Sequence, residues 1–302
     1  MRISPGEHDP NLIAALDHLL SSGGKRIRPA LVLLSAGMLS ADRDHAITLA
    51  ASVEMLHTAT LVHDDLIDGA SLRRGIPTIN ATLGPGATVL TGDYIFARAA
   101  YLAAEIGEQA LMKIFARTLM TIVNGEISQM YANSSSDAGI PDYLERIYAK
   151  TASLFEVATE GAAILSEIDE DTIAVMKSFG YNIGMAFQIV DDVLDFTADE
   201  ERLGKPSAND LRQGLITLPV LYFLSTASDQ EQLRHKITTQ QCDEDELSEI
   251  VSAIRSSNAI DQALNQAQEF VTTGISLLKM MPANQERAAL FELADHIINR
   301  ST

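Results

Sequence analysis

Basic residues are scarce in this chain: 22 lysines and arginines stand against 41 aspartates and glutamates, for a formal net charge of -19 and a pI near 4.6. Nucleic acid and anionic membrane surfaces are poor partners for such a chain, because both need a basic surface. Long apolar runs are missing too. No stretch approaches the roughly 20 apolar residues of a membrane span, so no stable membrane anchor is expected. The opening MRISPGEHDP lacks the apolar stretch of a signal peptide. The one cysteine, Cys242, permits no internal disulfide and fits a reducing compartment. These absences read as a cytoplasmic protein held together by its apolar core, for which 46% hydrophobic residues are ample.

Strand-like alternation is also lacking, and nearly every long segment shows helical periodicity with strong helix formers. Helices are expected over about residues 9–20, 29–40, 43–68, 87–104, 107–132, 142–165, 167–197, 210–227, 230–240, 244–256, 258–280 and 283–300, each boundary good to a few residues. Breakers fall between them at Ser21-Ser22-Gly23-Gly24, Gly84-Pro85-Gly86, Asn133-Ser134-Ser135-Ser136 with Gly139, and Leu203-Gly204-Lys205-Pro206. None is long enough to join two domains. The expected fold class is all-α, with residues 1–302 forming a single helical bundle.

Against this background stand two near copies of one acidic run, Asp64-Asp65-Leu66-Ile67-Asp68 and Asp191-Asp192-Val193-Leu194-Asp195. The chain has 22 aspartates, so random placement would yield only ~0.1 matches to this pattern. Each helical residue turns the chain by about 100°, so the first and last aspartates of a run share a face and the middle one flanks them. Converging carboxylates raise one another's pKa or bind a metal, and hard oxygen ligands that leave room for phosphate favour Mg²⁺. Gly69 should end the first helix and set the negative pole of its dipole beside the cation. Both helices are apolar around most of their circumference and carry the acids near their carboxyl ends. That pattern suits two central helices facing each other across a cleft with two acidic walls.

Five of the few cations, Lys25, Arg26, Arg28, Arg73 and Arg74, flank the first acidic helix. Gly23-Gly24 opens the backbone before Lys25-Arg26-Ile27-Arg28, and Pro29 suits a first helical turn, so this loop at a helix start can hold a diphosphate. Arg73 and Arg74 lie just past Gly69, where guanidinium forks would clamp phosphate oxygens. His57, two turns before Asp64, is either a donor to the same anion or, as is commoner for a lone histidine on an apolar helix, a satisfied core residue. Lys150, Thr151, Gln188 and Lys205 are further polar groups in or beside apolar sequence.

Taken together, these residues resemble the trans-isoprenyl diphosphate synthases, the polyprenyl synthetase family. Gly23 to Pro29 looks like the family's GGKRxRP, and Glu54 to His57 with Asp64 to Asp68 and Arg73-Arg74-Gly75 looks like its first aspartate-rich region. Lys150-Thr151, Phe187-Gln188 with Asp191 to Asp195, then Gly204-Lys205-Pro206 and Asp210 complete the set in order. The likeness spans about residues 20 to 220. It implies a helical bundle around a deep cavity, a homodimer, and head-to-tail condensation of isopentenyl diphosphate with an allylic diphosphate. It further implies that Asp64, Asp68 and Asp191 bind Mg²⁺, with Asp65, Asp192 and Asp195 as secondary candidates. Arg73, Lys150, Thr151, Gln188 and Lys205 would hold the allylic leaving group, and Lys25, Arg28, His57 and Arg74 the isopentenyl diphosphate. The catalytic set on this reading is Asp64, Asp65, Asp68, Arg73, Lys150, Asp191 and Lys205. One departure is Leu215, where many members carry another lysine.

Ala59 and Thr60 stand one turn before the first cluster, where short-chain members often carry bulky aromatics. With Leu56 and Val53 as the next floor, the expected product is geranylgeranyl diphosphate (C20) or longer. Rival readings are a terpene cyclase-like Mg²⁺-dependent lyase and a non-catalytic regulatory subunit of a heteromeric synthase. The first lacks need for the Lys25 to Arg28 loop, and the second would be marked by degraded aspartates.

Overall fold

A computed structural model describes residues 9–21, 23–132, 139–197 and 208–299. Its helices are α1 (Pro10–Ser21), α2 (Ile27–Met38), α3 (Arg43–Ile67), α4 (Ile79–Glu105), α5 (Gln109–Ala132), α6 (Ile140–Ile147), α7 (Ser153–Ile164), α8 (Glu170–Thr197), α9 (Asn209–Arg212), α10 (Leu218–Leu224), α11 (Gln230–Thr238), α12 (Glu244–Ser256), α13 (Ala259–Leu278) and α14 (Gln285–Asn299). A π-helical turn, Tyr148–Ala152, joins α6 to α7. The fold class is all-α, as the helical periodicity implied. No helix among the described residues is long and apolar enough to cross a membrane.

Helix α3 packs along α4, α8 lies between α7 and α13, and α2 crosses α3 and α7. The largest apolar cluster draws on residues from Leu31 to Ile297 and includes Leu49, Leu56, Phe155, Phe179 and Ile183, all essentially without solvent contact. Glycine decides how closely α8 approaches α7. A Cβ at Gly184 would lie 2.6 Å from the Ala152 Cα, and one at Gly180 would lie 2.5 Å from the Phe155 carbonyl oxygen. Only a residue without a side chain permits backbones that near.

Four local features depart from the expected helices. Leu72–Arg73 and Ile76–Pro77 form a minimal antiparallel hairpin. Its Arg74-Gly75 turn has both residues at positive φ, 53° and 77°, the geometry that two-residue hairpins favour. Helix α4 begins before Gly84-Pro85 and is broken there, with Gly84 at φ 81°. The segment expected as one helix over about 142–165 is interrupted by the π turn. The one expected over about 210–227 splits into α9 and α10, with Gly214 at φ 78° between them. Asn133 to Ser136 and the Leu203 to Pro206 stretch, with Lys205, lie outside the described residues.

Candidate active site

Helix α3 ends as its sequence requires. Gly69 sits at φ 62°, its N–H donates to the Leu66 carbonyl at 3.2 Å, and the Ala70 N–H donates to the Asp65 carbonyl at 2.9 Å. This pair of bonds is the Schellman closure, and it leaves the first acidic cluster in the last turn of the helix. The second cluster lies in the last two turns of α8.

Between these helix ends opens a cavity of about 680 Å³. Its walls include Asp64 and Asp191, with Lys25, Arg28, His57, Arg74, Lys150, Thr151 and Gln188. Thus the two leading aspartates and most of the polar groups singled out in the sequence meet in one place. The helices present matching positions: Thr60, Leu61 and Asp64 from α3, and Phe187, Gln188 and Asp191 from α8. Arg73 does not line this cavity. Its Nε donates to Asp65 Oδ1 at 2.6 Å.

The basic loop is held by strained backbone and by acids. Arg26 takes a left-handed conformation, φ 51°, just before α2, and its guanidinium pairs with Glu54 at 2.5 Å. Arg74 donates to the Gly23 carbonyl, tying the hairpin to the loop. Lys25 lies over the Phe187 ring at 5.9 Å and Arg28 over Phe155 at 5.1 Å, both within reach of cation–π attraction. Among the described residues, Arg28 Nε and His57 Nδ1 are buried without a hydrogen-bond partner, an arrangement that a bound anion would complete. Burial lowers the Arg28 pKa to about 10, against the opposing pull of Glu54 and Asp191. Burial, then Arg28 and Arg74, holds His57 well below the usual imidazole range.

Lys150 projects from the π turn, a distortion that recurs at functional sites, and pairs with Glu126 at 3.1 Å. Burial lowers its pKa, but Asp64 and Glu126 outweigh that and the net shift is upward. Burial raises Asp64 to about 6 despite Lys150. Asp65 is 5% exposed and is also raised by burial, with Arg73 opposing. Asp68 is exposed at the helix end.

In the second cluster Asp192, 4% exposed, accepts from Tyr143 Oη at 2.8 Å and from Gln188 Nε2 at 2.7 Å. Burial, then repulsion from Asp210, lifts its pKa to about 7. Asp195 accepts from the Asp210 N–H at 3.0 Å and so braces the start of α9. The middle aspartates therefore face partners within the fold, while Asp64 and Asp191 face the cavity.

Of the residues assigned to product length, Thr60 lines the cavity. Ala59 packs with Leu16, Ile79 and Ile95, and Leu56 and Val53 lie in the main core. Leu215 borders a second cavity of about 430 Å³ with Tyr143 and Arg146, away from Lys25 and Arg28. Sequence reasoning missed Glu126 and Tyr143. Tyr143 stands two helical turns before Lys150, but its role depends on Asp192, which is distant in sequence.

Residues 9–254 match the family model for polyprenyl synthetase. Heptaprenyl diphosphate synthase component 2 of Geobacillus stearothermophilus is 39% identical over 99% of this chain and 92% of its own length. Solanesyl diphosphate synthase 2, chloroplastic, of Arabidopsis thaliana is 36% identical over 95% of this chain and 70% of its own length. Among solved structures, a decaprenyl diphosphate synthase from Rhodobacter capsulatus superposes with a TM-score of 0.92 at 32% identity, covering 98% of this chain and 92% of that one. A polyprenyl synthase from Caulobacter crescentus CB15, complexed with calcium and isoprenyl diphosphate, gives 0.90 at 37% identity, covering 98% and 91%. A match of this extent, on a helical scaffold that brings the leading aspartate of each run to one cavity, means that the chain belongs to the polyprenyl synthetase family and is a prenyltransferase.

Proposed function

We propose that this prenyltransferase condenses isopentenyl diphosphate head-to-tail with an allylic diphosphate, using Mg²⁺ held by Asp64, Asp68 and Asp191, and that its product exceeds C20. The observation that carries the proposal is the shared cavity, in which carboxylates from two helices face a cationic loop. A Mg²⁺ site fits this donor set. No group of three or more metal-binding side chains converges among the described residues, so each Mg²⁺ would take one or two of these carboxylates and complete its shell with phosphate oxygens and water. The Caulobacter relative was crystallised with a divalent cation and an isoprenyl diphosphate, which supports the same ligand chemistry here. When bound, the ion draws charge from the leaving diphosphate.

The chain's own groups do the rest. Lys150, Thr151, Gln188 and Lys205 hold the allylic diphosphate, and Arg73 supports them from its bond to Asp65. Lys25, Arg28, His57 and Arg74 hold isopentenyl diphosphate, completing the buried donors of Arg28 and His57. Fixed donors aimed at the developing charge stabilise it more than the same groups free in solution. The isopentenyl double bond attacks the allyl cation and the departing diphosphate takes the final proton, so no side-chain base is invoked.

Relatives named heptaprenyl, solanesyl and decaprenyl synthases support a product at the long end of the expected range. Radiolabelled isopentenyl diphosphate supplied with farnesyl diphosphate should give products beyond C20, and failure to elongate that primer would overturn the assignment. The chain is read as one domain that works as a homodimer. Val89 and Leu90 on α4 and Met120, Val123, Ile127 and Met130 on α5 are exposed apolar side chains, of the kind a partner subunit covers. The word "component" in the Geobacillus relative's name makes a heteromer the contrary outcome. Light scattering of the purified chain should find a dimer that elongates unaided, and a monomer active only with a second polypeptide would reject the homodimer. A cyclase has no support from relatives named as diphosphate synthases, and the two intact acidic clusters oppose a non-catalytic subunit.

A further inference from the structure

Gln188 and Thr151 reach the cavity from different helices, and a continuous set of hydrogen bonds fixes how they face it. The Thr151 hydroxyl donates to Gln188 Oε1 at 2.6 Å. The Gln188 amide nitrogen donates to Asp192 Oδ1 at 2.7 Å. Tyr143 Oη donates to the other oxygen, Asp192 Oδ2, at 2.8 Å. Each carboxylate oxygen of Asp192 therefore has its own donor, and the carboxylate lies behind the cavity wall, outside the lining. Tyr143 is 2% exposed, with the Arg146 guanidinium 5.5 Å over its ring.

An amide such as Gln188 presents either a donor or an acceptor to a ligand, depending on which way it is turned. Here Asp192 accepts from the amide nitrogen and so sets that choice, while Tyr143 stops the carboxylate from rotating away. We propose that Tyr143 is a positioning residue that, through Asp192, orients the Gln188–Thr151 pair for the diphosphate held in this cavity. Asp192 on this view is a bracket within the second acidic run, and the run divides its labour between Asp191 at the cavity and Asp192 behind it. The inference rests on the proposed seat of the allylic diphosphate beside Gln188 and Thr151. Mispositioning by about 1 Å is enough to weaken such a site.

Tyr143→Phe removes the hydroxyl and keeps the ring, so the core packing should survive. Steady-state kinetics of the full-length enzyme with Mg²⁺ should show KM for the allylic diphosphate rising roughly 10-fold, the loss expected for a hydrogen bond to a charged group, while KM for isopentenyl diphosphate stays within about 2-fold. Asp192→Asn should produce a similar split. The double variant should cost no more than the worse single one, because both act through one chain of contacts. Unchanged KM values for both substrates would overturn the proposal, as would a lowered melting temperature with kcat and both KM values moving together. A rise confined to isopentenyl diphosphate would keep Tyr143 as the positioning group and overturn the assignment of Gln188 and Thr151 to the allylic end.

Discussion

The two acidic runs share a pattern in the sequence but occupy different surroundings, and the middle aspartate shows it best. Asp65 answers to a charged partner, Arg73, whose side chain is 35% exposed on the hairpin after α3. Asp192 answers to the neutral donors Tyr143 and Gln188 inside the bundle. A partial-solvent ion pair is screened and worth little, whereas buried neutral donors become costly once their acceptor is gone. The upstream positions differ as well. Seven residues before the leading aspartate, α3 carries His57 and α8 carries Gly184. One helix offers a donor to the cavity, and the other offers an absence that lets the π turn bring Lys150 and Thr151 alongside. Repeated motifs thus mark equal tasks at the leading aspartates and unequal ones elsewhere.

The largest effect should come from what the runs share. Asp64→Asn and Asp191→Asn should each lower kcat by roughly 10³-fold, comparable to removal of a major charge-stabilising group, with circular dichroism and melting temperature unchanged. An effect in only one run would break the symmetry of the two walls.

The next test is of the difference. Asp192→Ala leaves the Tyr143 hydroxyl and the Gln188 amide without their acceptor and should destabilise the fold by about 2 kcal/mol. Asp65→Ala should cost about 1 kcal/mol or less, because Arg73 can turn to water. Urea denaturation monitored by far-UV circular dichroism measures both, and equal losses would erase the contrast.

Gly184→Ala should cost about 1–3 kcal/mol, the usual range for overpacking, since its new methyl would lie 2.6 Å from the Ala152 Cα. Because the displaced backbone carries Lys150 and Thr151, KM for the allylic diphosphate should rise with it. His57→Ala at the matching position of α3 should instead weaken isopentenyl diphosphate, which substrate titrations would distinguish.

The smallest effect concerns pH. Burial, followed by Arg28, Arg74, Arg73 and Arg26, keeps the folded His57 pKa well below 6.5. As pH falls through the ordinary imidazole range, the unfolded chain takes up a proton that the folded chain refuses, so stability drops. His57→Gln cannot titrate and should flatten that drop between about pH 7 and pH 5 in thermal melts; a parallel slope in both proteins would remove His57 as its source.

Much of this site was legible because charge has few reasons to sit in apolar helices. Asp64 and Asp191 stood out by repetition, and Lys25 to Arg28 by the glycines and proline around them. Gly69 announced the helix end through its tolerance of positive φ, and its closure matches. The hairpin at Leu72 to Pro77 went unseen because two-residue strands leave no periodicity to detect. The π turn was equally silent, since one inserted residue in a long helical pattern shifts register without changing composition. Glu126 and Tyr143 resemble ordinary residues of amphipathic helices until α5 and α6 are packed against Lys150 and Asp192.

From its residues alone the chain determined the helical class, the two acidic helix ends and the cationic loop, because periodicity, capping and charge are local properties. Only the tertiary structure decided which aspartate of each run faces the cavity and which turns inward. That choice depends on partners such as Arg73, Tyr143 and Gln188, brought within hydrogen-bonding distance by packing between helices, and on glycines whose missing side chains set how near those helices come.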